Sequence, residues 1–229
     1  MGAGRTEAPA FDPDLFHFLS ELRKHNNRPW FQENKDRYER SVQSPAVAFI
    51  RSAAAPLSKL SSHLVADPRP FGGSLSRIYR DTRFAKDKSP YKTNIGIHFS
   101  HDRATKEGRL PGFFVHLAPG ESLVASGIWH PAPPELRKIR DAIVASPSAW
   151  GRVLKSGIEI EGESYARVPS GYDASGPFVR DLRRKDFYAS RSLPDASVLA
   201  PDFLATFVAA CRELDPLNVF LSKALAIPW

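Results

Sequence analysis

Cysteine is almost missing from this chain, with Cys211 the only one. A lone thiol cannot close an internal disulfide, form a C-x-x-C redox pair or build a cysteine-rich zinc site. That scarcity, and the apolar helical stretch around Cys211, point to a reducing cytoplasmic setting. No apolar run approaches the roughly 20 residues that span a bilayer, and the N-terminus lacks the apolar core of a signal peptide. Neither a membrane partner nor secretion is expected. Methionine occurs once while Ala, Arg and Pro abound, a bias of GC-rich coding that raises the arginine count without functional cause. A Walker loop, a G-x-G-x-x-G turn, an H-E-x-x-H helix and a G-x-S-x-G elbow are all absent, which removes support for common nucleotide and hydrolase mechanisms. Met1-Gly2-Ala3-Gly4-Arg5-Thr6 fits the loose myristoylation pattern, but a disordered leader over residues 1–10 is the simpler expectation.

What is present suffices for one core. Of 229 residues, 42% are apolar and 11% aromatic, so residues 11–229 are expected to form a single domain. Four dipeptides, Asp12-Pro13, Ser44-Pro45, Ser146-Pro147 and Asp215-Pro216, join a capping side chain to a proline that needs no N–H, the chemistry of a helix start. Phe11 and Phe16 have the spacing of a hydrophobic staple across the first of them. The pattern predicts helices from Pro13 to about Lys24, from Asn27 to about Val42, and from Pro45 to about Leu64 with a break near Pro56. In the second, Glu33 with Arg37 and Asp36 with Arg40 are expected as i,i+4 pairs on a solvent face, while Phe31, Asn34 and Tyr38 share another face.

The middle of the chain changes period. Residues 94–99 alternate, 112–117 are rich in strand formers, and 122–129 follow a Pro119-Gly120 turn. With 75–80 they read as an antiparallel meander, and 102–111 as a surface loop. After Pro133 helical spacing returns at Leu136, Ile139 and Ile143, then at Trp150, Val153 and Leu154. Residues 158–168 suggest a hairpin, and apolar stripes from Val198 to Leu225 close the chain in helix. The fold class is α+β: a single domain with an antiparallel sheet of about four or more strands in mid-chain, backed by N- and C-terminal helices.

Residues 77–92 gather six cations and two carboxylates among Tyr79, Phe84 and Tyr91. Their charge is +4 (three Arg plus three Lys, minus Asp81 and Asp87), out of a chain total of +7. So local an excess suggests an anionic partner. If 75–80 is extended, Arg77 and Arg80 face opposite sides, and a turn through 81–88 is needed to gather Arg80, Arg83, Lys86 and Lys88 on one rim. Guanidinium forks there would grip carboxylate or phosphate, with Lys86, Lys88 and Lys92 adding point charge and Tyr91 lining the site. Asp81 and Asp87 would hold the arginines or accept protons. The competing account is an Arg–Asp network that pins a long connection onto the sheet. The second polar cluster, at residues 26–35, contains Arg28 and Lys35, which are expected to face the same cleft.

His98 and His116 alternate away from apolar neighbours and could share a sheet face. His116 is a candidate acid–base residue; two imidazoles without an obvious third ligand argue against a metal. No cofactor is expected. The run Arg183-Arg184-Lys185 reads as a solvated helix face, and the turn at 169–173 could bring Tyr172 to a site.

The run Arg77-x-x-Arg80-Asp81-x-Arg83-Phe84-x-x-Asp87-Lys88-x-x-Tyr91 resembles the signature of a mainly bacterial, uncharacterised domain-of-unknown-function family. Trp30-Phe31, Gly127-Ile-Trp129, Pro169-x-Gly171-Tyr172 and Pro216-Leu217 near Phe220-Leu221 resemble it too, so the likeness covers nearly the whole chain. The resemblance implies weight for the signature and no assigned chemistry. The first expectation is binding of a phosphorylated or carboxylated small molecule at a basic cleft, with catalysis open and Asp81, Asp87 and His116 as candidates. The others are nucleic-acid binding, with Tyr79, Tyr91 or Trp30 stacking on bases, and a protein-interaction module whose basic loop docks an acidic partner.

Overall fold

Asp12 opens the first helix as its chemistry requires, its Oδ1 accepting the Asp14 N–H at 2.8 Å. Helix α1 runs Asp14–Lys24 and buries Leu15, Phe16, Phe18, Leu19 and Leu22. The computed structural model describes residues 11–105 and 109–229; the leader at 1–10, with its acylation pattern, and residues 106–108 of the expected loop lie outside them.

The helix expected over 27–42 divides into α2 (Arg28–Glu33), α3 (Lys35–Tyr38) and a π-helical turn over Glu39–Gln43. Asn27 caps α2 by accepting the Trp30 N–H at 3.0 Å. The break falls at Asn34, whose backbone leaves the helical region at φ −105° and ψ 13°. One consequence is that Arg37 turns inward: instead of an i,i+4 pair with Glu33, its guanidinium binds Asp14 and Glu21 of α1. Ser44-Pro45 does not start a helix either. Ser44 is already helical at φ −63° and ψ −44°, so α4 (Ser44–Ser58) continues from the π turn and ends two residues after Pro56.

The sheet has five antiparallel strands in chain order: β1 (Leu64–Val65), β2 (Ile95–His101), β3 (Gly112–Leu117), β4 (Leu123–Ile128) and β5 (Phe187–Ser192). Ile97, Phe99, Phe113 and Val115 turn one face to the core. Against it lies α9 (Phe203–Ala224), with Phe203 and Phe207 packed on Phe49 of α4 at 5.1 and 5.2 Å between ring centroids. Helices α5 (Pro133–Ala145) and α6 (Pro147–Lys155), then the short α7 (Val179–Leu182) and α8 (Asp195–Val198), flank β5 in sequence.

Three local expectations change. Asp215-Pro216 lies inside α9, because the buried stripe from Phe203 to Leu214 is already helical before it, and the Asp215 carboxylate instead accepts the Trp229 indole N–H at 2.9 Å. Residues 75–80 form no ladder strand; they run beside β2 and the segment before it through single bridges, Leu75 with Ile97 and Tyr79 with Tyr91. The expected hairpin at 158–168 is instead an extended segment bridged to β5 and its approach, Glu161 to Tyr188 and Ser164 to Arg184. The basic run after α7 leads into that strand and is not a solvated helix face. Arg184 is buried against Asp181 at 3.0 Å, Arg183 donates to Tyr165 O, and Lys185 meets Glu163.

Candidate functional site

The signature forms a lobe closed at its base by two backbone bonds, Arg80 N–H to Pro90 O at 2.9 Å and Lys92 N–H to Ile78 O at 2.8 Å. Short aspartates shape it from inside. Asp81 Oδ1 accepts the Arg83 N–H at 3.2 Å, and Asp87 Oδ1 accepts the Ser89 N–H at 2.9 Å, each a side-chain turn two residues long. Lys88 Nζ donates to Thr82 O at 2.9 Å, tying the two limbs together.

The lobe is docked on the junction of α1 and α2. Asn26 Nδ2–H donates to Tyr91 O at 2.9 Å while Tyr91 N–H donates to Asn26 Oδ1 at 3.0 Å, so one amide satisfies both backbone groups of Tyr91. Phe31 stacks on the Tyr91 ring at 4.1 Å and 18°. The two polar clusters therefore meet, and the contact surface leaves a cleft on either side of Arg80 and Tyr91. The first, about 370 Å³, is lined by Arg28, Gln32, Tyr79, Arg80, Thr82, Pro90 and Tyr91. The second, about 320 Å³, is lined by Arg23, Asn26, Arg80, Asp87, Ser89, Tyr91, Lys92, Thr93 and Asn94.

Of the residues singled out in the sequence, Arg80 and Tyr91 border both clefts, Arg28 and Tyr79 the first, and Lys92 and Asp87 the second. Arg77, Arg83, Lys86 and Lys88 line neither. Arg83 is turned away by its pair with Asp81 at 2.7 Å and lies over the ring of Phe84. Lys35 pairs with Glu39 along its own helix at 3.6 Å. Tyr172 donates to Asp141 on α5 at 2.7 Å. His116 sits one contact behind the second cleft, its Nδ1 at 3.3 Å from Asn94 Nδ2. The register puts His98 and His116 on one face, but Phe114 lies between them, its ring 4.5 Å from His98 and 6.3 Å from His116.

The electrostatics separate these groups. The Ser89 hydroxyl and N–H, then the Arg80 guanidinium, hold Asp87 far below the usual carboxylate range. The Arg83 guanidinium pulls Asp81 down to about 2. Both are firmly ionised and weak proton acceptors at neutral pH. Burial, then the charge of Arg77, lowers Lys92, and burial lowers His116, which favours its neutral form. Among the described residues, Arg80 engages only Nη1, with Asp87 and with Ser89 O at 3.3 Å. Its Nε and Nη2 have no hydrogen-bond partner among the described residues and remain available as donors. Arg23, Gln32 and Asn94 were not marked by the sequence. Arg23 falls in the last turn of α1, three residues before Asn26, and that proximity was the available signal.

Residues 14–220 match the family described as Conserved hypothetical protein (DUF2461). The chain belongs to this family. No curated protein and no solved structure matches it. The DUF2461 match spans α1 through most of α9, so the lobe, its docking helices and both clefts all lie within it.

Proposed function

We propose that the protein binds a phosphorylated or carboxylated small molecule at the clefts beside Arg80. The observation that carries this reading is the position of Arg80, shared by two clefts whose rims add Arg23, Arg28 and Lys92 against the single carboxylate of Asp87. Two free guanidinium nitrogens suit a forked contact with an oxyanion, and Arg28 and Lys92 supply charge from either side. The Asn26 clamp holds the lobe in place before any ligand arrives, which lowers the ordering cost of binding. If the bound molecule reacts, His116, neutral and one contact behind the second cleft at Asn94, is the candidate proton acceptor, and arginine would stabilise developing negative charge.

A second reading, nucleic-acid binding, has its own support: Phe84 is 96% exposed beneath Arg83, and Tyr79 is 49% exposed on the same lobe. Exposed rings beside guanidinium groups can stack on bases. A thermal-shift screen at low salt separates the two, using pyrophosphate, nucleotides, sugar phosphates, dicarboxylates, and short DNA and RNA. A small ligand at 100 times its dissociation constant adds about 2.7 kcal/mol to native stability. A selective shift abolished in Arg80→Ala supports the pocket. Binding of every oligonucleotide with a steep loss on added salt supports the second reading, and a flat response to all of them removes both.

A further inference from the structure

A separate cluster stands at the corner of the sheet where β1 meets β2, and none of its residues lines either cleft. Leu64 pairs with His101, and the Asp102 N–H donates to His63 O at 2.7 Å, so the register fixes His63 beside His101-Asp102. The two imidazoles stack at 5.2 Å and 3°. The Asp102 carboxylate reaches both, with Oδ2 at 2.8 Å from His63 Nδ1 and Oδ1 at 3.0 Å from His101 Nδ1. One ligand atom from each of the three residues lies within 4.8 Å of the others.

The tautomer of His101 gives the cluster its meaning. Its side chain is wholly buried, and Nε2 lies 2.8 Å from Pro228 O. A carbonyl only accepts, so Nε2 carries a proton, and in the neutral ring Nδ1 presents a lone pair. The Arg103 N–H points at the same Nδ1 from 3.1 Å, which agrees with that tautomer. A lone pair 3.0 Å from a carboxylate oxygen is repulsive unless positive charge stands between them. An imidazole whose far N–H is held by a backbone carbonyl is also the usual outer arrangement of a metal-bound histidine. Trp229, bonded to Asp215, fixes the segment that carries the Pro228 carbonyl.

We propose that His63, His101 and Asp102 bind one divalent transition-metal ion, best matched by zinc, through the two Nδ1 atoms and an Asp102 oxygen. Two imidazoles and a carboxylate are a zinc donor set with one position open to solvent. Zn–N and Zn–O bonds of about 2.1 Å place tetrahedral donors roughly 3.4 Å apart, close to the 2.8 and 3.0 Å that already separate Asp102 from the two Nδ1 atoms, and the more exposed His63 ring must tilt out of its parallel stack to aim its lone pair at the same ion. The Arg103 N–H gives up Nδ1 when the metal takes its lone pair. His63 and Asp102 are both partly exposed, which provides access from solvent.

The test titrates chelator-treated, untagged protein with Zn²⁺ by calorimetry and with Co²⁺ by visible absorption. The expected result is one ion per chain, with affinity lowered at least about tenfold in both His63→Ala and Asp102→Asn. Those two positions are chosen because they are less buried than His101, and circular dichroism checks that each variant is folded. Absence of saturable uptake, or uptake that neither variant alters, overturns the proposal; the second outcome places the metal on other histidines.

Discussion

Arg80 is anchored through Nη1 while Nε and Nη2 have no partner among the described residues, and the proposed anion contact rests on that asymmetry. Arg80→Ala removes the donor common to both clefts, while Asp87 keeps its bonds to Ser89. The expected outcome is loss of anion binding with the urea midpoint nearly unchanged. Arg83→Ala, paired with Asp81 outside the clefts, should leave affinity as it was; equal losses in the two variants would point to diffuse charge. Asp14 behaves differently, because its partners tie helices together. The Arg37 guanidinium, then the Ser41 hydroxyl, outweigh burial and hold its carboxyl down at about 2. A carboxyl with a depressed native pKa stabilises above its unfolded pKa near 4, and the contribution is lost as pH falls through about 2. After allowance for solvent screening it is on the order of 1 kcal/mol. The gap in urea midpoint between wild type and Asp14→Asn should be clear at pH 7 and narrow sharply at pH 2.

At the scale of elements, the lobe is held by a side chain acting as a strand. Asn26 occupies both backbone groups of Tyr91, and Asn26→Ala leaves a partly buried N–H and C=O to find water. The cost is about 1–3 kcal/mol, read by urea unfolding, with faster hydrogen exchange at the Tyr91 amide; unchanged exchange would mean that the Phe31 stack alone docks the lobe. Element boundaries show what was legible in the sequence. The period of α1 and the alternation of β2 and β3 are local properties, and each formed where its pattern lay. Asp12-Pro13 and Asp215-Pro216 carry the same dipeptide chemistry, yet only the first opens a helix, because the second follows a buried stripe already helical from Phe203, and its aspartate goes to Trp229. Arg37 had a local partner at Glu33 and found better ones on α1 once Asn34 broke the helix. Such choices depend on groups brought together by tertiary structure, beyond the reach of local spacing.

Across the whole molecule, the meander from β2 to β4 could be read from strand formers and a Pro-Gly turn, and the family match over residues 14–220 agrees with the expected uncharacterised family. The edge at β5 could not, because a basic run precedes that strand, and Arg183 and Lys185 find their partners on the segment 18 and 22 residues earlier. Asp186 is fully buried there, accepting the His130 N–H at 2.8 Å and the Glu163 N–H at 2.9 Å, and it joins the end of β4 to the segment beside β5. Gly162 passes over it at φ +103°, where an added Cβ would stand 2.4 Å from the Asp186 Cβ. Gly162→Ala should therefore cost at least about 1–3 kcal/mol from backbone strain alone, seen as a lower urea midpoint; a neutral result would mean the segment is free to shift.

The site was partly legible in the same way. Charge density marked the lobe, but which cations converge was set by the Asp81 and Asp87 turns and by docking on Asn26. The most direct test of that convergence is a pyrophosphate titration of ¹⁵N-labelled protein at low salt. The expected result is saturable amide shifts confined to residues 23–32 and 79–94, and their loss in Arg80→Ala with the rest of the spectrum unchanged. Shifts spread over the basic surface, or identical in the variant, would contradict it.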